Sequence, residues 1–358
     1  MLNIRFEQAK VLKEKPDMYN NPPSFGSMTT DYMFVMDWNK EEGWHDARIV
    51  PYGPFEIEPT CMAFHYAQEI FEGMKLFASP NGNPLMFRPD MNAKRFQRSA
   101  KRVCIPEIPV EDYLQAVYEF AKIEKDWIPE APATSLYLRP VCFASEASVG
   151  VEVASEYKFF IVACPVKNYH TEFSSDDKCW VETHYSRASE GGTGGDKCGC
   201  NYANTLLPQI LCEERGYDEV VFTDSIEHKW LGEISASNIM FVIDGTIVTP
   251  ELDGTILPGI TRDTILTLAK GMGIPCEERK ISVDELKETL KNGKCTEAMS
   301  LGTAVVIEPI GSFGFEDEGE LVVGTGEVGP ISQKMYDTIL AMQRGQVEAP
   351  EGWVVEIK

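Results

Sequence analysis

The chain has 358 residues, a formal net charge of −23 and a hydrophobic fraction of 43%. Its length points to two domains with a site between them. The composition is that of a globular protein, and no apolar run reaches the roughly 18 residues of a membrane span. The acidic balance, with no Lys/Arg stripe interleaved with aromatics, argues against nucleic acid, so any anionic ligand must be held by a few local donors.

The N-terminal stretch Met1-Leu2-Asn3-Ile4-Arg5-Phe6-Glu7 has neither the basic-then-apolar pattern of a signal peptide nor an Arg-rich, acid-poor transit pattern, which makes the cytoplasm the expected location. Between Tyr32 and Leu76, short apolar runs divided by turns such as Tyr52-Gly53-Pro54 read as strands, and so does Leu85-Met86-Phe87. Phe96, Ala100 and Val103 mark a helix over 92–103, with Arg95, Arg98 and Arg102 on its other faces, and a second helix covers 110–123. Strands follow at 135–140 and 158–164.

After Pro165 the chain turns polar through Ser174-Ser175-Asp176-Asp177. A smaller α+β domain is therefore expected at 1–164, a linker at 165–178 and a larger domain at 179–358. The second half should hold a helix from Asn201 to about Arg215, strands at 219–222 and 238–243, a helix at 261–271 and a last strand at 353–357. Ten cysteines without a disulfide-framework spacing suit reduced thiols.

The most unusual segment surrounds Lys197 with Gly191, Gly192, Gly194, Gly195 and Gly199. Dense glycine allows a backbone to approach a ligand closely. A P-loop needs Gly before the lysine and Ser or Thr after it, but Asp196 and Cys198 stand there; a dinucleotide fingerprint fails because Lys197 takes the place of its third glycine. Cys198-x-Cys200, with no histidine nearby, lacks zinc spacing, so no metal is expected. A flexible turn with a solvated lysine remains the plain alternative.

Pyridoxal 5′-phosphate (PLP) chemistry would ask for more than a lysine: an acid facing the pyridine nitrogen, a phosphate cup and a donor near the phenolic oxygen. Glu233 lies in an apolar stretch where a lone carboxylate would be costly, and a protonated pyridinium would be a partner for it. Leu257-Pro258-Gly259-Ile260-Thr261-Arg262 opens a helix whose free N–H groups at Ile260 and Thr261 suit a phosphate. Tyr137 and Arg139, two apart on a strand, face the same side.

Taken in order, these segments resemble the branched-chain amino acid aminotransferases of the fold-type IV PLP enzymes. The series comprises His65-Tyr66, Phe71-Glu72-Gly73-Met74-Lys75, Phe87-Arg88-Pro89 with Asn92-Ala93-Lys94-Arg95, and Ser135-Leu136-Tyr137-Leu138-Arg139-Pro140. It continues through Gly191-Gly192-Thr193-Gly194, Lys197, Asn201-Tyr202-Ala203, the Glu233 segment, Pro258-Gly259-Ile260-Thr261-Arg262 and Gly302-Thr303-Ala304. The resemblance implies an α+β, two-domain fold like that of D-amino acid aminotransferase, with the site at the domain interface, in a homodimer.

By the same resemblance Lys197 carries PLP as a Schiff base and acts as the base. Tyr202 meets the phenolic oxygen, Glu233 the pyridine nitrogen, and Arg95, Ile260, Thr261 and Thr303 the phosphate. The substrate carboxylate would meet Thr303, Ala304 and Tyr66; Phe71, Tyr137, Val151 and Tyr169 would wall the side-chain pocket, and Arg139 would take a second carboxylate. The implied reaction is ping-pong exchange between L-leucine, L-isoleucine or L-valine and 2-oxoglutarate. D-amino acid aminotransferase and aminodeoxychorismate lyase share the lysine, the glutamate and the cup, but chain length and Tyr137-x-Arg139-Pro140 favour the branched-chain reading. A noncatalytic PLP- or anion-binding protein is the rival of another class.

Three departures from the family pattern stand out. Gly199-Cys200 replaces the usual Gly-Gly, and Pro208 is expected to bend the helix after Tyr202. Val305 and Glu308 follow Thr303-Ala304 where mammalian members carry a redox-active cysteine pair, so no switch of that type is expected.

Overall fold

A computed structural model describes residues 1–79, 81–167 and 173–358. Tyr169 lies outside the described residues. The chain divides into two compact units. The first holds the described residues of 1–169 together with Lys197–Gly199 and Ala341–Lys358; the rest forms the second. This partition differs from a single cut near 165–178, because two later stretches pack with the first unit.

In the first unit the order is β1 (Arg5–Phe6), β2 (Tyr32–Asn39), β3 (Gly43–Pro51), α1 (Met62–Tyr66), β4 (Glu69–Phe71), β5 (Met74–Ala78), β6 (Pro84–Phe87), α2 (Pro89–Arg102), α3 (Val110–Ile123), β7 (Thr134–Ala144) and β8 (Glu156–Lys167). The second unit runs β9 (Asp177–Glu182), α4 (Cys200–Ala203), α5 (Leu206–Glu214), β10 (Glu219–Thr223), β11 (Leu231–Ile234), β12 (Asn238–Ile243), β13 (Thr246–Thr249), α6 (Ile260–Gly271), β14 (Cys276–Glu278), α7 (Val283–Lys291), β15 (Cys295–Gly302), β16 (Val306–Phe315) and β17 (Gly319–Val322). Helix α8 (Pro330–Gln343) and strand β18 (Val354–Glu356) complete the chain.

Counted over the described residues, each unit carries a nine-stranded sheet. The first sheet is ordered β1-β3-β2-β8-β7-β5-β6-β18, with β4 beside β7. Phe34, Leu136, Leu138 and Phe159 from its central strands pack against Phe96 and Ala100 of α2 and Val117 and Phe120 of α3. The second sheet is ordered β11-β10-β9-β16-β15-β12-β13-β14, with β17 beside β16. Val181, Phe241 and Phe313 from its strands share a core with Leu286 and Leu290 of α7. That helix starts sharply because the Ser282 hydroxyl caps the amide of Glu285. Among the described residues no helix is long and apolar enough to cross a membrane.

Helix α2 carries Asn92, Arg95 and Ser99, so the way it starts matters for all three. Pro89 occupies its first turn, where a missing N–H costs nothing, and Arg88 before it takes a left-handed conformation with φ of 51°. The tail fixes this start. β18 pairs antiparallel with β6, the Arg88 amide donates to the Trp353 carbonyl at 2.6 Å, and the Arg88 guanidinium lies 4.5 Å from the Trp353 ring centroid. Inside α2, Asn92, Arg95 and Ser99 are buried along with Ala93, Phe96 and Ala100. Arg95 therefore points inward rather than lying off the buried face, because a buried carboxylate receives it.

The single helix expected from Asn201 is two short helices, α4 and α5, separated at Asn204-Thr205. Pro208 falls in the first turn of α5, where backbone amides have no intrahelical acceptor. It initiates that helix instead of bending a longer one.

Trp353→Ala removes the ring beneath Arg88 and loosens the tail that anchors α2. We expect a loss of about 1–3 kcal/mol, read as a lower midpoint in chemical denaturation of the full chain. An unchanged midpoint would show that the Trp353 ring contributes nothing to holding α2.

Candidate active site

Lys197 owes its place to a short backbone ladder in the first unit. The Phe71 amide donates to the Lys197 carbonyl at 3.1 Å, the Gly199 amide donates to the Glu69 carbonyl at 3.3 Å, and Ile70 bridges antiparallel to Cys198. Residues 197–199 thus run beside β4 as an added strand. On the other side the Lys197 amide donates to the Ser99 hydroxyl of α2 at 2.9 Å. Both backbone groups of the lysine are held, which limits the places its side chain can reach.

That side chain is half-buried, with Nζ 4.8 Å from the Phe71 ring centroid. Burial, reinforced by the nearby positive charge of Arg95, pulls the amine down to about 8; Glu72 and Tyr137 act in the opposite direction. The Arg139 guanidinium lies over the same Phe71 ring, also at 4.8 Å, and its Nη2 donates to the Tyr137 hydroxyl at 3.2 Å. Its Nε is buried with no hydrogen-bond partner. The same holds for the Nε of Arg187, Arg262 and Arg344 among the described residues. Lys197, Phe71, Tyr137 and Arg139 are therefore one cluster, and the same-side placement of Tyr137 and Arg139 on β7 is realised.

Arg95 joins this cluster through Glu72. Its Nε and Nη2 donate to the two Glu72 carboxylate oxygens at 2.6 and 2.9 Å. Asn92 adds a third donor at 2.8 Å. Tyr66 and Val151 are more open within the first unit: the Tyr66 hydroxyl donates to the Val149 carbonyl, and Val151 is 84% exposed.

In the second unit Glu233 sits within β11 and is 4% exposed. Such a carboxylate needs a cationic partner, and the structure supplies Arg187, whose Nη1 lies 2.7 Å from Glu233 Oε1 with both side chains buried. Asn238 Nδ2 donates to Glu233 Oε2 at 2.9 Å and also to the Leu257 carbonyl. The Leu257 amide donates to Glu233 Oε1 at 3.0 Å. One carboxylate thus grips the segment that opens α6.

The opening itself is uncapped. Gly259 is the N-cap in extended conformation and offers no side chain to the first-turn amides of Ile260 and Thr261. A Cβ at Gly259 would overlap the Asn238 amide oxygen, so the glycine is needed for Asn238 to reach Glu233. The glycine run before Lys197 also serves protein packing. A Cβ on Gly194 would overlap the Thr255 carbonyl and Ala188, and Asn201 closes the loop by donating to the Thr193 and Asp196 carbonyls at 2.8 Å. Tyr202 is half-buried on α4, and Thr303 and Ala304 are half-buried in the turn between β15 and β16.

Sequence reasoning did not single out Glu72 and Ser99, which hold the surroundings of Lys197, or Arg187 and Asn238, which hold Glu233. The spacing of Asn92, Arg95 and Ser99 was a usable helix-face signal. Nothing in the sequence pairs Arg187 with Glu233, which are brought together only by the fold.

The family model for class IV amino-transferases matches residues 69–313. This chain belongs to that family. It is 43% identical over 354 residues to branched-chain-amino-acid aminotransferase 2 of Bacillus subtilis, covering 99% of this chain and 97% of that protein. It is 40% identical to the branched-chain-amino-acid aminotransferase of Mycolicibacterium smegmatis over 94% of this chain and 92% of the other. Among solved structures, the Escherichia coli branched-chain amino acid aminotransferase aligns with a TM-score of 0.77 at 26% identity, covering 92% of this chain and 99% of that one. The fold is accordingly the mixed α/β, fold-type IV architecture that the sequence led us to expect.

Arg187→Met leaves the buried Glu233 carboxylate without its cation. Removal of one partner from such a pair costs about 3–5 kcal/mol, to be read from urea denaturation. Adding Glu233→Leu should recover most of that loss. If Arg187→Met alone is neutral, the pair carries no structural weight.

Proposed function

We propose that this protein is a branched-chain amino acid aminotransferase that holds PLP through Lys197 and moves an amino group between L-leucine, L-isoleucine or L-valine and 2-oxoglutarate in a ping-pong sequence. One observation carries the reading: the Lys197 amine and the Arg139 guanidinium lie 4.8 Å from the same Phe71 ring. That arrangement puts a titratable amine, an apolar wall and a second cation together. A branched side chain needs the wall, and the distal carboxylate of glutamate needs the cation.

The donor set also fits the cofactor. A lysine amine drawn down to about 8 is partly neutral at physiological pH, as a carbonyl-capturing amine must be. Glu233, fixed by Arg187, Asn238 and Leu257, suits a pyridine N–H, and the uncapped start of α6 at Ile260 and Thr261 suits a phosphate. When bound, PLP supplies the electron sink that stabilises negative charge developing at the substrate Cα. Lys197 Nζ would take and return the Cα proton. We assign Tyr202 to the phenolic oxygen, Arg95 and Thr303 to the phosphate, and Thr303, Ala304 and Tyr66 to the substrate carboxylate. Phe71, Tyr137, Val151 and Tyr169 are assigned to the side-chain walls.

The full-length similarity to named branched-chain aminotransferases supports this reading over a D-amino acid aminotransferase or a lyase of the same fold. We place the protein in the cytoplasm as a homodimer, a state that sedimentation equilibrium would check. Glutamate formation from 2-oxoglutarate, measured with each of the twenty L-amino acids and with D-alanine, tests activity and stereochemistry together. Activity confined to D-alanine would overturn the reading, and yellow protein that leucine does not bleach would favour a noncatalytic binder.

Arg139→Met removes a charge-assisted hydrogen bond of about 1.5–3 kcal/mol, so half-reactions with glutamate and 2-oxoglutarate should slow by roughly ten- to a hundredfold. Leucine should be affected far less. Equal losses for leucine and glutamate would assign Arg139 to structure instead of to the second carboxylate.

A further inference from the structure

Glu72 has no assigned part in cofactor or substrate binding, yet its side chain is fully buried. Its carboxylate accepts from Arg95 Nε and Nη2, from Asn92 Nδ2 and from the Gly73 amide. Such a carboxylate is held ionised: the Arg95 charge and the donated hydrogen bonds outweigh the cost of burial and draw it below its ordinary range. The residues that hold it belong to the same small frame as Lys197. Asn92, Arg95 and Ser99 recur at positions i, i+3 and i+7 of α2, which is one face of a helix. The first two grip Glu72, and the third accepts the Lys197 amide. Glu72 itself directly follows β4, the strand along which Lys197 is laid.

We propose that Glu72 is a positioning residue for the reaction: its carboxylate locks the Arg95 fork against α2 and so sets a buried negative charge in the frame of α2 and β4 that holds the Lys197 backbone. The proposal rests on the assignment of Lys197 as the reactive amine. Arg95, Arg139 and Lys197 are three cationic side chains in one cluster, and burial together with the two positive neighbours favours the neutral form of the amine. A proton-carrying amine needs to hold its proton part of the time. Glu72 provides that balance, and Arg95 sits between the two effects: it lowers Lys197 while Glu72 and Tyr137 raise it. The buried pair is thus an electrostatic setting as well as a structural clasp.

The test uses the full chain freed of cofactor, so that it reads the amine and not turnover. Trace acetic anhydride labels lysines only in their neutral form, and mass spectrometry compares Lys197 with exposed lysines in the same sample. At pH 7, Glu72→Gln should raise the relative labelling of Lys197 by roughly five- to tenfold, and the labelling curve should move to lower pH. Arg95→Gln should move it the opposite way. Glu72→Asp, which keeps the charge, should stay near wild type. An unchanged curve in Glu72→Gln, or shifts of the same sign in Glu72→Gln and Arg95→Gln, would overturn the proposal by reducing Glu72 to a packing role.

If Glu72→Gln does not fold because Arg95 loses the Glu72 charge, the comparison moves to Arg95→Gln with and without Glu72→Gln. In that background the double variant should label Lys197 several-fold faster at pH 7 than Arg95→Gln alone, and equal rates would overturn the proposal. Borohydride reduction of wild-type protein with PLP, followed by peptide mapping, reports separately whether Lys197 holds the cofactor. Labelling shifts without a PLP adduct at Lys197 would leave Glu72 as the group that sets the amine while removing the functional assignment.

Discussion

Three residues laid along a short strand hold the arrangement together. The ladder of Lys197–Gly199 with β4 draws a lysine out of the second unit's sequence and into the first unit's packing. Without it the lysine would follow a glycine-rich loop that is held by the Gly194 packing and by Asn201. With it, the backbone is fixed by Phe71, Glu69 and Ser99, and the side chain is left over an aromatic face beside Arg139. Fixing the backbone on both sides of an amine by main-chain hydrogen bonds is a form of preorganisation, since little conformational freedom would remain to be lost if that amine took a ligand.

Charge is arranged by neighbourhood more than by total. A chain with net charge −23 nevertheless gathers Arg95, Arg139 and Lys197 within one region of the first unit, balanced by the buried Glu72. In the second unit the Arg187–Glu233 pair repeats the device: a buried carboxylate tolerates its surroundings because a guanidinium and neutral donors satisfy it. Buried pairs of this kind are weak evidence for stability, because desolvation offsets much of the attraction. Their value lies in geometry. Glu233 ties β11 to the Leu257 segment and so holds an acid and an uncapped helix start at a constant separation within one unit.

Much of this is legible in the sequence because it depends on local patterns. The alternation of β7, the apolar periodicity of α3 and the Pro-Gly start of α6 each arise from neighbours in the chain, and the ordered motifs from Tyr66 to Ala304 point to the family. The illegible part depends on distant residues. Sequence alone puts Arg95 off the buried face because a lone arginine is costly inside; Glu72, more than twenty residues earlier, removes that cost. Pro208 suggests a bend because the break at Asn204-Thr205 leaves no strong local signal. The glycines around Lys197 suggest room for a ligand, whereas Gly194 makes room for the Thr255 carbonyl. Arg187 carries no signal at all.

The proposed capture of the cofactor by the Lys197 amine is tested most directly by its pH dependence. Full-length protein without cofactor would be mixed with PLP across pH 6 to 10, quenched with borohydride at short times and mapped by mass spectrometry. Only the neutral amine attacks a carbonyl, so the initial rate at Lys197 should climb as pH rises through about 8 and then level off, well before exposed lysines respond. An adduct spread over surface lysines, or a rate at Lys197 that keeps climbing to pH 10 as an unperturbed lysine would, contradicts the account.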